Sequence, residues 1–221
     1  MFPSHDHVVV GGAMAVTPAE KVLLAITANR LYTLRSTDAN WVIDTSGLGN
    51  SGLVDTTFIE TASEYVGIIA DGNTALRKWT ASSGVTSITP VSGAIPSAIS
   101  VCTVARKILA LVDPHTLRWS NTLTYDDWPN ANFNKIAQTN DIGIAVVPLS
   151  NLTFVVYKER SLYRGRAVSG PPSAAFAISE PLVIEGPAGL HAIVNAAGTH
   201  FYMTKSGRIA VFDGTSYPCG S

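Results

Sequence analysis

Charge is scarce in this sequence of 221 residues. Only 14% of its side chains are Asp, Glu, Lys or Arg, against roughly 25% in an ordinary soluble domain. Fifteen basic residues meet 16 acidic ones, for a formal net charge of −1. The basic excess that marks a nucleic-acid surface is therefore missing. Cysteine is equally scarce. Cys102 falls in an apolar, strand-like run and Cys219 sits near the C-terminal end; two thiols so placed make neither a disulfide framework nor a metal site. No apolar run approaches the roughly 20 residues of a membrane-spanning helix. The opening Met1-Phe2-Pro3-Ser4-His5-Asp6-His7 lacks the basic start and apolar stretch of a signal peptide. No long segment carries the 3.6-residue periodicity of an amphipathic helix. Phosphate loops ending in Lys-Ser or Lys-Thr, Gly-x-Ser-x-Gly elbows and Cys-x-x-Cys pairs are all missing, which removes the commonest signatures of nucleotide, hydrolase and redox sites. His5 and His7 form the only close histidine pair, without an evident third ligand. Neither a metal nor an organic cofactor is expected.

What is present points to strands. Hydrophobic residues make up 46% of the chain, too many for a globally disordered protein. Serine and threonine number 41, with 18 Gly and 12 Pro, a mixture of β-branched residues and turn formers. Five segments repeat one pattern of apolar strand, short turn and second strand: 22–35, 65–79, 108–119, 152–164 and 200–212. The apolar positions just after each turn are Leu31, Ala75, Leu117, Leu162 and Ile209, separated by 44, 42, 45 and 47 residues. That spacing matches the roughly 40–50 residues of a four-stranded propeller blade.

Each hairpin has candidate flanking strands. Ala13–Val16, Thr57–Ile59, Ala98–Val101, Ile142–Val147 and His191–Val194 fit innermost strands. Trp41–Ile43, Val85–Ile88, Phe133–Ile136 and Ala175–Ile178 fit outermost ones. The sequence thus predicts an all-β fold, a single β-propeller domain over 1–221. Five blades of four antiparallel strands are expected near 11–45, 55–90, 96–137, 141–185 and 189–214, with 7–10 added to the last. No outer strand is evident after the fifth hairpin, and an open edge there would invite unwanted pairing. The apolar strand His7-Val8-Val9-Val10 is expected to fill it, pairing around Ile209 to Phe212 and closing the ring.

Chemistry-bearing clusters are few. Asp126-Asp127 is the only adjacent acid pair; neighbours on a strand point to opposite faces, so a turn before Trp128-Pro129 is expected instead of a catalytic dyad. The densest basic stretch is interleaved with aromatics. Tyr157, Lys158, Arg160, Tyr163, Arg164 and Arg166 form a candidate interface, since such mixtures serve as protein contacts, solvated strand faces or single-stranded nucleic-acid grooves. No catalytic residues are assigned.

Two stretches resemble known families. Ser36-Thr37-Asp38-Ala39-Asn40-Trp41 resembles a degraded Asp-box, the structural turn of sialidase-type propellers, with its Gly and Thr missing. Leu117-Arg118-Trp119-Ser120, Tyr125-Asp126-Asp127-Trp128-Pro129, Asn132-Phe133 and Phe154-Val155-Val156-Tyr157-Lys158-Glu159-Arg160-Ser161-Leu162-Tyr163 together resemble the β-propeller proteins of tailed-phage virions, of the tail hub or nozzle type. That resemblance covers about 60 residues between Arg106 and Arg166. It implies a structural component of a bacteriophage tail or head–tail adaptor, without enzymatic activity. Its implied partners are other tail or connector proteins and further copies in a six-fold homo-oligomeric ring. Contact with nucleic acid would be limited to passage of the genome nearby. The alternative class is a propeller-type glycan-binding module or sialidase-like glycosidase. An enzyme of that kind would draw on residues such as Arg77, Arg118, Arg164 and Tyr163, and a sugar-binding propeller on aromatics repeated between blades. The four Trp at 41, 79, 119 and 128 do not repeat in register, which favours the structural class.

Overall fold

The computed structural model describes residues 9–16, 21–27, 30–35, 40–46, 54–215 and 219–220. Short strands dominate, and the only helical pieces among these residues are two single 3-10 turns, Pro172–Ala174 and Leu190–Ala192. Five antiparallel sheets follow one another along the chain, each a radial blade, so the expected five-bladed propeller arrangement is what forms. Blade 1 contains β1 (Val9–Val16), β2 (Lys21–Thr27), β3 (Arg30–Arg35) and β4 (Val42–Ser46). Blade 2 contains β5 (Asp55–Glu60), β6 (Tyr65–Ala70), β7 (Arg77–Thr80) and β8 (Gly84–Ser87). A short strand β9 (Ser92–Gly93) precedes blade 3, built from β10 (Ser100–Val104), β11 (Lys107–Asp113), β12 (Thr116–Trp119) and β14 (Phe133–Lys135). Between the last two, β13 (Asp127–Trp128) pairs in parallel with β9. Blade 4 contains β15 (Gly143–Pro148), β16 (Thr153–Lys158), β17 (Ser161–Ala167) and β18 (Phe176–Ile178), with β19 (Leu182–Val183) also on β17. Blade 5 contains β20 (Ile193–Ala196), β21 (Thr199–Met203), β22 (Ile209–Phe212) and β23 (Cys219–Gly220).

Why the chain divides this way follows from its period. Inner strands lie side by side around an axis, and polar side chains tie those of blades 3, 4 and 5 to their predecessors about one period away. Thr103 Oγ1 donates to Phe58 O at 2.7 Å and Ser100 Oγ to an Asp55 carboxylate oxygen at 2.7 Å. The Val146 N–H donates to Ser100 Oγ at 3.0 Å, and Asn195 Nδ2 to Pro148 O at 2.5 Å. Adjacent blades pack face to face. The downstream faces of blades 1 to 4 turn toward the following blade, and the upstream faces of blades 2 to 5 toward the preceding one. Because side chains alternate along a strand, each hairpin supplies both faces. Four apolar clusters join blades 1 and 2, 2 and 3, 3 and 4, and 4 and 5. None of the four joins blade 5 to blade 1 among the described residues.

The expected closure does not form. Val9 pairs with Thr27 inside blade 1, where β1 is simply a longer innermost strand, with a register shift between Val9 and Gly11. The irregularity falls at Val10, beyond which Gly11 and Gly12 pair in regular register with Ile26 and Ala25, so Val9–Val16 forms one strand. The fourth strand of blade 5 is β23, which pairs Val211 with Cys219 and Ala210 with Gly220. Val8 and the His5-Asp6-His7 stretch lie outside the described residues, as do Ser36–Ala39 of the Asp-box resemblance. Two smaller readings also shift. Ala75 forms only an isolated bridge to Ser97, and Leu76 is the buried residue facing blade 3. Asp127 and Trp128 pair with Ser92 and Gly93 as β13 and β9. Asp127 accordingly lies in a strand, accepting from Ser92 Oγ and from Asn121 Nδ2 at 2.6 Å.

Candidate functional site

The axis offers the first place to look for chemistry. The innermost strands of blades 2 to 5 border a cavity of about 250 Å³ lined by Asp55, Thr57, Cys102, Val147, His191 and Ile193, among others. Asp55 is positioned by the start of β5. Its carboxylate accepts the Thr56 N–H at 2.9 Å, the Val101 N–H at 2.9 Å and Ser100 Oγ at 2.7 Å. Burial pushes its pKa up, and these three hydrogen bonds only partly offset that. Burial also drives the Cys102 thiol well above its ordinary value, with the Asp55 charge adding to the effect. A thiol so held stays protonated and packs as a small apolar group, the opposite of an activated nucleophile. Among the described residues, no three His, Cys, Asp or Glu side chains lie close enough to hold a metal ion.

The second concentration of polar groups is the seam where blade 3 meets the β16–β17 hairpin. Lys158 ends β16 and is completely buried. Its ammonium has three protons to donate. They are met by Thr139 O at 2.8 Å, Ile136 O at 3.1 Å and His115 Nδ1 at 3.0 Å. His115 thus accepts through Nδ1 and carries its proton on Nε2. An Asp141 carboxylate oxygen lies 3.7 Å from Nζ. Burial lowers the lysine pKa and Asp141 pulls it partly back. Burial opposes ionisation of Asp141 too, but hydrogen bonds from Thr139, the Arg160 N–H and Ser161 outweigh it and hold the carboxyl below its usual range. Tyr163 OH completes the cluster, accepting the Thr139 N–H at 3.0 Å and pairing with Thr139 Oγ1 at 2.9 Å. The network binds the loop entering blade 4 to the β11–β12 turn of blade 3. It is a structural clamp with its lysine sealed from solvent, while Thr139, Asp141 and Ser161 border an open depression on its outer side.

The six residues of the candidate interface are thereby split. Tyr157, Lys158 and Tyr163 are buried; Arg160 and Arg166 are exposed. Arg164 is half-buried and donates to Gly214 O at 3.1 Å. A continuous basic–aromatic surface does not exist, because every second side chain of β16 and β17 turns toward blade 3 or blade 5. Tyr157 instead donates its hydroxyl to His200 Nδ1 at 3.0 Å, while His200 Nε2 faces Pro148 O at 3.0 Å. The residues considered for a sialidase-like site are dispersed as well. Arg118 donates to Ala94 O at 3.2 Å and Trp128 O at 3.1 Å, Arg164 reaches blade 5, and Tyr163 belongs to the lysine clamp. Arg77 lies on β7 of blade 2.

The sequence reading missed Asp55, His115, Thr139, Asp141 and His200. Their partners are about 20 or 45 residues away, so only the blade period could have brought them together.

No protein-family model and no curated protein matches the sequence. Among solved structures, the crystal structure of BBS1N in complex with ARL6DN, soaked with mercury, is similar in fold, with a TM-score of 0.60 at 10% identity. The match covers 93% of this chain and spans 65% of that one. At such low identity the likeness supports the propeller architecture alone.

Proposed function

We propose that this protein is a structural component of a tailed-phage virion, in the tail hub, nozzle or head–tail adaptor, acting through protein–protein contacts in a homo-oligomeric ring. The observation that carries the reading is the use to which the virion-like stretch is put. Trp119 and Trp128 are buried, and their indole N–H groups donate to Pro172 O and Tyr125 O, both at 2.8 Å. Asn132 Nδ2 donates to Asn121 Oδ1 at 3.2 Å, and the Lys-Glu-Arg-Ser hairpin contributes Lys158 and Ser161 to the clamp. Motif residues spent on bracing blade 3 and joining it to blades 2 and 4 suit a load-bearing part better than a catalyst, whose polar groups converge on an open site. The axial cavity, with a buried carboxyl and an unreactive thiol, gives no counter-signal.

The test is particle composition. Mass spectrometry of density-banded virions from a phage carrying this gene should recover its peptides in constant ratio to the known tail proteins. Their absence from purified particles overturns the proposal.

A further inference from the structure

The repeat places equivalent side chains on the downstream face of every blade. Around the hairpin they are Leu24, Ile26 and Leu31 in blade 1, and Ile68, Ala70 and Leu76 in blade 2. In blade 3 they are Leu109, Leu111 and Leu117, and in blade 4 Val155, Tyr157 and Leu162. All twelve are buried, each set within the cluster that joins its blade to the next. The matching positions of blade 5 are Phe201, Met203 and Ile209, and these are 42%, 46% and 50% exposed. Val194, which pairs with Phe201, is 61% exposed beside them. No charged side chain stands among these four. The fifth blade therefore ends in a face of the same composition as four faces that each receive a blade.

The opposite end of the array is also incompletely covered. On the upstream face of blade 1, Ala25 and Tyr32 are buried, while Leu23 and Ile43 remain 41% and 47% exposed. At every internal seam a downstream face meets an upstream one. Among the described residues, the upstream face of blade 1 is the one that no apolar cluster joins to a preceding blade.

We infer that the downstream face of blade 5 docks on the upstream face of blade 1 in a second copy of this chain, extending the internal seam between molecules. Exposed apolar patches rimmed by polar residues mark association sites. A head-to-tail contact of this kind is heterologous, closing into a ring or growing according to its rotation. The inference rests on blade geometry and not on the virion reading, so the two are separable: a protein absent from virions that still associates through these faces overturns only the virion reading, and a virion component whose assembly ignores these faces overturns only this one.

Sedimentation velocity of the purified chain at tens of micromolar tests it. The wild-type protein should sediment as a dimer or larger assembly. Ile209→Lys and Leu23→Lys should each sediment as monomers, with dissociation constants raised at least 100-fold and circular dichroism unchanged. Phe201→Lys serves as a second blade 5 variant should Ile209→Lys fail to fold. Mixed in equal amounts, Ile209→Lys and Leu23→Lys retain one intact pair of faces between them and should form a 1:1 dimer. A monomeric wild type, an assembly unmoved by Ile209→Lys, or a mixture that stays monomeric each overturns the inference.

Discussion

Leu162 and Ile209 hold the same place in the repeat, the first apolar position after the hairpin turn, yet one is fully buried and the other half-exposed. Both are branched aliphatic residues on the third strand of a blade. What separates them is the next blade. Leu162 meets Tyr202, Ala210 and Phe212 across the seam, whereas among the described residues no cluster covers Ile209. The comparison teaches that the apolar pattern specifies a face, and only a neighbour turns that face into core. The seam between blades 3 and 4 adds a polar layer, the Lys158 clamp, which links loop to turn and fixes register as well as contact.

Breaking that clamp should have the largest effect. Lys158→Ala leaves two carbonyls and a histidine nitrogen without their donor and strips Asp141 of its countercharge. The expected loss is about 3–5 kcal/mol, or roughly 6–20 °C in melting temperature for a chain of this size. Thermal unfolding followed by circular dichroism measures it; a shift below about 2 °C would show the clamp to be idle. Leu162→Ala comes next, with a cost of about 2–4 kcal/mol from lost burial and the cavity left behind.

A pH scan sharpens the contrast at the seam between blades 4 and 5. Burial lowers the His200 pKa, against the opposing hydrogen bond with Pro148. The unfolded chain therefore binds a proton more readily than the folded one. The stability this contributes is fully present above the ordinary histidine pKa and is lost as pH falls through it toward the folded value. Protonation would also force Nδ1 to donate, evicting the Tyr157 hydroxyl proton it now accepts. Chemical denaturation between pH 7.5 and 5 should show the wild type losing more stability than His200→Gln. Parallel pH profiles would refute the role given to His200. The smallest effect belongs to Ile209→Ala, under about 0.5 kcal/mol at concentrations where the chain is a monomer. A loss equal to that of Leu162→Ala would mean that this face is already covered, and the comparison would collapse.

The legible part of the fold was its rhythm. All five expected inner strands overlap observed ones, and the hairpins fall where the 42–47-residue spacing puts them. The misplaced elements were those whose identity depends on distant chain. Val9 and Val10 look like a strand free to fill the last blade, yet the ladder to β2 takes in Val9, with a register shift before Gly11. Cys219–Gly220 is a two-residue strand, too short to leave a periodic signal. The basic run from Tyr157 to Arg166 looks continuous in one dimension. A strand's alternation deals its members to opposite faces, and blades 3 and 5 then bury half of them.

By itself, then, the sequence determined an all-β chain with five hairpins at one period, because alternating apolar residues and turn formers are local signals. The tertiary structure alone decided which polar groups became seams. Lys158, His115 and Asp141 reveal nothing by spacing, since a buried cation is stable only where carbonyls and a carboxylate from other strands converge on it. It also decided which of five equivalent apolar faces stays open, because burial is conferred by the neighbouring blade and not by the residues that await it.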